Sequence, residues 1–173
     1  MKYIWICLAL ASFFYILLPG LGAFQVRSRW RRFRRFMVAS SFNPIARYAT
    51  FHRGNEGPLG SFRFFGELQA IQGDDTVWIT DGSVSVSAEL KDADIFALPE
   101  AEGEDEENLK ISGSPRKIPW KTLSSLPEGA KIFLYGSLFL EGGTGIFRSL
   151  AGAPLIVVIY EGEDRRMLRH AIW

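Results

Sequence analysis

From Tyr3 to Phe24 the chain carries no charged residue. At 1.5 Å per residue a helix of that length reaches about 33 Å, close to the hydrocarbon thickness of a bilayer. No other feature restricts the chain as much, because such a stretch most simply spans a membrane or is removed as a signal peptide. Pro19 and Gly20 are expected to distort or end the helix early, and a helix stopping at Leu18 spans only about 24 Å. Signal cleavage would fall after Ala23, with Lys2 as the basic head. Two features oppose it. Leu21, at the −3 position, is larger than the usual small residue, and the sequence RSRWRRFRRF follows, with six Arg between Arg27 and Arg35. Moving that run across a membrane opposes the positive-inside bias. Residues 1–24 therefore read as a single-pass transmembrane anchor, with the N-terminus outside and the C-terminal domain cytosolic. A secreted or periplasmic domain released by cleavage is the alternative.

Charge also divides the chain, after Arg53. Met1 to Arg53 holds nine Lys or Arg and no acid; the remainder holds eleven basic against nineteen acidic residues. The formal net charge of +1 is thus +9 on one part and −8 on the other. Nucleic acid needs positive charge on the folded domain, so the acidic balance there argues against that partner. The one cysteine, Cys7, lies inside the apolar stretch and can form no intramolecular disulfide.

Residues 25–38 interleave aromatic and basic side chains. Val26, Trp30, Phe33 and Met37 follow one face of a helix. Arg27, Arg29, Arg31, Arg32, Arg34 and Arg35 flank that stripe. The pattern suits a helix lying in the headgroup layer of anionic lipid, with rings buried and guanidinium groups reaching outward. The plainer reading is a stop-transfer flank whose only effect is on topology. An arm that stacks on single-stranded nucleic acid is a third.

Residues 39–60 are rich in Ser, Asn, Pro and Gly without a sustained period and read as a linker. Residues 61–173 read as the folded domain. Phe62, Phe64, Gly66, Leu68 and Ala70 alternate with Arg63, Phe65, Glu67 and Gln69, a long half-buried strand. Thr76 to Thr80 and Ser83 to Leu90 are separated by Asp81-Gly82, which predicts a two-residue hairpin pairing Ile79 with Val84 and Val77 with Val86. Residues 98–108 form an acidic loop. Pro119 to Leu126 suits a short helix closed by Pro127. Lys131 to Glu141 is a further strand, turned by Gly142-Gly143 into Thr144 to Leu150. Leu155 to Tyr160 is continuously apolar, as in a strand covered on both faces. Met167 to Ile172 suits a last strand. The fold class is mainly β. A long strand, a hairpin, a loop with a helix, a second hairpin and a strand, taken in order, resemble the OB-fold, a small antiparallel β-barrel. The resemblance covers Gly60 to about Tyr160 and rests on element order; a small β-sandwich is the alternative.

No pattern of catalytic or metal-ligating residues stands out, and no cofactor is implied. The GGTG run at Gly142 to Gly145 lacks the Lys and hydroxyl residue of a phosphate loop. His52 and His170 are far apart, and Asp74, Asp75 and Asp81 sit where turns favour Asp. The informative residues are aromatics opposite the inferred core face: Phe65, Trp78, Phe133, Tyr135 and Phe139. They mark a contact for a protein partner or a second copy of the chain, unless another segment covers them. The sequence thus reads as a membrane-anchored interaction module rather than an enzyme.

Overall fold

The computed structural model describes residues 2–53, 55–73, 75–98, 115–164 and 167–168. The apolar stretch is helical, and the helix does not stop at Pro19. α1 (Lys2–Ser12) passes through one π-helical turn, Phe13–Leu17, into α2 (Leu18–Ser41). The N–H of Leu18 donates to the Phe13 carbonyl, an i to i+5 bond. Such a widened turn immediately before Pro19 is one of the few ways a helix accommodates a residue that has no N–H of its own.

One helix and five strands build the domain's first part. α3 (Tyr48–Arg53) precedes β1 (Gly57–Gln72), β2 (Thr76–Thr80), β3 (Ser85–Glu89), β4 (Asp94–Ala97) and β5 (Arg116–Lys117). A 3-10 turn at Trp120–Ser125, between Pro119 and Leu126, stands where the short helix was expected. β6 (Lys131–Glu141), β7 (Thr144–Arg148) and β8 (Ile156–Tyr160) complete the order. The eight strands form one mixed sheet, β1-β2-β3-β7-β6-β8-β4-β5, with a further pairing of β1 with β6. The sheet is mixed rather than purely antiparallel, because β3 lies parallel to β7 and β4 parallel to β8.

Five of the strands pair in a closed circuit. β1 uses Gly57 to Glu67 on β6 and Glu67 to Gln72 on β2. β2 continues to β3, β3 to β7, and β7 back to β6. The change of partner along β1 centres on Gly66, where an added Cβ would lie 2.6 Å from the Thr80 carbonyl oxygen. Phe64, Leu68, Val77, Ile79, Val86, Leu138 and Phe147 fill the inside of the circuit. Phe51 of α3 closes one end, against Gly145 of β7.

Two register expectations are corrected. Ile79 pairs with Val86 and Val77 with Ala88, two residues beyond the expected partners. The central turn residues are Gly82 and Ser83 rather than Asp81 and Gly82. A type I′ turn needs positive φ at both central residues, and Asp81 does not adopt it; Gly82 does, at 87°. The Asp81 carboxylate instead accepts bonds from the N–H groups of Ser83 and Val84 and from the Ser83 hydroxyl. A shift of two preserves the faces, so Val77 and Ile79 still point inward. Along β1, a bulge at Gln69 breaks the expected alternation, and Ala70 opposes Trp78 on the outer face.

β8, β4 and β5 extend the sheet beyond the circuit. Leu155 and Val157 face the inner core, while Ile156, Val158 and Tyr160 face a second one. That is the strand covered on both faces that the apolar run predicts. The second cover is α2. The segment expected as a linker is folded down as well. Ala46 and Phe51 are buried, and Ile45 makes a bridge to Arg63. The expected last strand is helical where it is described, at Met167 and Leu168, and the Met167 N–H donates to the Glu163 carbonyl. The acidic loop lies outside the described residues except for Leu98, and so does His170.

Candidate functional site

Two sets of residues were singled out in the sequence: the basic amphipathic segment and the outer-face aromatics. The fold brings most of them together against each other. Phe33 and Met37 of α2 are fully buried, with Trp30 and Phe36 partly so, against Phe96, Phe133, Ile156, Val158, Tyr160 and Met167. The Phe33 ring lies 4.9 Å from that of Phe96 and is stacked on Trp30 at 5.9 Å. Phe65 and Phe133 are in ring contact at 4.9 Å within the same cluster. Tyr135 belongs to it too, and its hydroxyl accepts a bond from the Asn43 amide at 3.2 Å. So Phe133 is covered in the cluster that α2 completes, while Phe65 and Tyr135 pack at its margin and stay half-buried. Conversely, Phe33 and Met37 face the sheet and have no surface left for lipid.

The arginines then divide between two sides of α2. Arg27, Arg31, Arg34 and Arg35 recur at helical spacing on the side away from the sheet and are exposed. Arg29 and Arg32 flank the docked stripe beside β4 and β5. Arg32 pairs with Asp94 at 3.1 Å, and Lys117 holds the other oxygen of the same carboxylate.

Two of the five aromatics remain outside this contact, Trp78 and Phe139, and the sheet places them in one row. Across the outer face of the circuit the partners run Ala70, Trp78, Ser87, Ile146, Phe139 and Pro58. At about 4.8 Å between strands, Trp78 and Phe139 are about 14 Å apart, with Ile146 between them. Trp78, Ile146 and Phe139 are each half-buried. The Trp78 indole N–H donates to the Gln72 side-chain oxygen at 2.8 Å, which orients the ring.

Beside this row lies a charged cluster that the reading of the sequence missed. Arg148 donates from Nε to Glu89 at 2.6 Å and from its terminal nitrogens to both oxygens of Glu141. Its guanidinium carbon stands 5.5 Å from the centre of the Phe139 ring. The bonds to Glu141 and then to Glu89 raise the Arg148 pKa further, and Arg148 in turn holds the Glu141 carboxyl below its ordinary range. Glu89 is distant in sequence from Glu141 and Arg148 until β3 is aligned beside β7. The spacing Glu141 to Arg148 across a Gly-Gly hairpin was the available signal.

Among the described residues no group of three or more His, Cys, Asp or Glu side chains comes together. The apolar helix is long enough to cross a membrane, a property that signal sequences near an N-terminus share. No protein-family model matches the chain and no curated protein resembles it, so its activity has to be read from its own residues.

Proposed function

We propose that this protein is a single-pass membrane-anchored interaction module. The closed circuit of five strands is an OB-like barrel, and it binds a protein partner, or a second copy of the chain, on the cytosolic side of the membrane. One observation carries this reading above the others. The helix that contains the apolar stretch continues without a break into α2, where Phe33 and Met37 are fully buried against the sheet. A domain joined to its anchor in this way is held at a fixed height and angle, whereas a flexible linker would leave both free.

The outer-face row supplies the contact. Trp and Arg are among the side chains that most often dominate binding energy at protein interfaces. Trp78 on β2 and the Arg148–Phe139 pair on β7 and β6 lie on the outer face of the circuit, separated by the buried Ser87 and half-buried Ile146. OB-like barrels take their ligands across the second and third strands, where Trp78 and Ser87 lie. The Trp78 and Arg148 side chains are already held by Gln72, Glu89 and Glu141, so little rotamer freedom is lost on binding.

A photo-crosslinking amino acid at position 78 of the full chain, in its own cells, tests the reading. A discrete crosslinked species at this position, absent when the label is moved to Lys91, supports it. Either a distinct protein or a dimer of this chain satisfies the proposal. No discrete product from position 78 or from position 139 overturns it. Orientation is tested separately with Lys91→Cys in a Cys7→Ser background. Lys91 is exposed. It should resist a membrane-impermeant thiol reagent in intact cells and react after lysis.

A further inference from the structure

We infer that the cleft between α2 and the β4–β5 edge is a binding site for the phosphate headgroup of an anionic lipid, an inference that rests on Tyr3–Phe24 spanning the membrane. The cleft encloses about 360 Å³ and is lined by Arg29, Arg32, Asp94, Phe96 and Lys117. Among the described residues, the charged side chains that line it are three cations and one carboxylate, and two of the cations contact that carboxylate. Asp94 is 9% exposed; Lys117 donates a hydrogen bond to one of its oxygens at 2.5 Å, and Arg32 lies 3.1 Å from the other as an ion pair without a hydrogen bond. It therefore fixes the two cations in place, while Arg32 and Lys117 remain 62% and 49% exposed for a second, incoming anion. Guanidinium beside ammonium is a combination suited to phosphate oxygens, with Arg able to give paired bonds and Lys a point charge.

Position along the helix selects lipid as the source of that phosphate. Arg29 lies five residues beyond Phe24, about 7.5 Å along the axis, and Arg32 about 12 Å. The headgroup layer extends about 5–7 Å from the edge of the hydrocarbon. Arg29 thus stands at the outer limit of that layer. Long basic side chains reach back toward it along an apolar surface, here Trp30 and Phe96. The helix continues from Arg32 to Asn43, whose amide bonds the Tyr135 hydroxyl, so the β4–β5 edge lies beside the membrane end of the docked part of α2. Lys117 belongs to that edge through its pairing with Phe96. This contribution from the folded domain separates the site from a simple stop-transfer run, which would need only the helix.

The test uses the full chain in nanodiscs of phosphatidylcholine with a minor fraction of spin-labelled lipid. Spin-labelled phosphatidylglycerol should be enriched at the protein over spin-labelled phosphatidylcholine. Lys117→Gln should reduce that preference about fivefold, the effect of one basic residue near an anionic surface. Lys117→Arg should retain it, and Lys91→Gln, on the turn after β3, should leave it unchanged. Excess glycerol phosphate in the buffer should not abolish the preference; if it does, the cleft takes a soluble phosphate and the lipid assignment falls. Undiminished preference in a Lys117→Gln protein with an unaltered circular dichroism spectrum overturns the proposal. Release of the wild-type chain from its own membranes by alkaline carbonate without detergent would instead overturn the anchoring that the proposal rests on.

Discussion

Replacing Phe33 by Ala should undock α2 from the sheet while leaving the five-stranded circuit folded. Phe33 is fully buried, between Trp30 and Phe96. Of the helix side chains at this contact, Phe33 and Met37 are the large ones wholly removed from water. Burying two such side chains stabilises the contact by about 3–6 kcal/mol, and the ring contacts add about 1 kcal/mol. The Arg32–Asp94 pair adds at most about 1 kcal/mol, since Arg32 is largely exposed. Phe→Ala in a packed core costs about 3–5 kcal/mol, so the substitution removes most of what holds the helix to the domain. Undocked, the C-terminal part of α2 is a short helix held at its two ends, by the membrane segment and by residues 44–46 on β1, but no longer along its length, and such helices fray. Hydrogen exchange of the full chain in detergent reads this directly. Amides of residues 33–41 should exchange about two to three orders of magnitude faster, while those of β2 and β3 stay protected. Unchanged protection over 33–41 would refute the docking energetics. Equal loss in β2 and β3 would show that the two cores unfold as one unit.

Three other outcomes follow from single contacts. Val77→Ala should lower the folding free energy by about 1–3 kcal/mol and Trp78→Ala by less, read from urea midpoints; the reverse order would mean the β2 faces are misassigned. Gly145→Ala places a Cβ within contact of the Phe51 ring and should cost about 1–3 kcal/mol, a cost that shrinks in a Phe51→Ala background; strict additivity in the double-mutant cycle would rule the clash out. Burial raises the Tyr160 pKa, helped by its bond to Asp164 and by the charges of Asp164 and Glu67. The folded state therefore favours the neutral phenol. The stability linked to it is complete below the ordinary tyrosine range and is lost as pH rises above about 10, at up to about 1.4 kcal/mol per pH unit. Tyr160→Phe should flatten that alkaline loss, and parallel curves for the two proteins would exclude Tyr160 as its source.

Elements with a strong local period were legible in the sequence. The inward set of β2 and the alternating β6 follow from period two, and the Gly142-Gly143 turn from its dipeptide. What escaped were features decided by one residue's competition with another. The hairpin slipped because the Asp81 side chain accepts two backbone N–H groups and so favours a turn centred one residue later. β4 was missed because Asp94–Ala97 is too short for a period to register, and it is set instead by pairing with β8. The Arg148 cluster depends on β3 lying parallel to β7, a non-local pairing with no signature in either segment. Trp78 and Phe139 were both visible as outward aromatics, but their common row was not.

The basic segment poses a more general problem of inference. An apolar stripe flanked by arginines is the same pattern whether its rings enter lipid or a protein face, because both remove the same side chains from water. Periodicity therefore could not choose between a helix lying on the membrane and one docked on the domain. The deciding signal was elsewhere, in Leu155 to Tyr160. A strand apolar on both faces needs two covers, and the inner core supplies only one. The outer residues Ile156, Val158 and Tyr160 require a second apolar partner of about one strand's length. Among the segments outside the strands, Trp30 to Met37 carries a stripe of that length, about 10 Å along a helix. Matching an unpaired demand for cover with an unpaired apolar stripe would have joined the two sets of residues before any coordinates. The same bookkeeping leaves the Trp78–Ile146–Phe139 row half-buried with no segment of the described chain assigned to it, which is why that row is where a partner is sought.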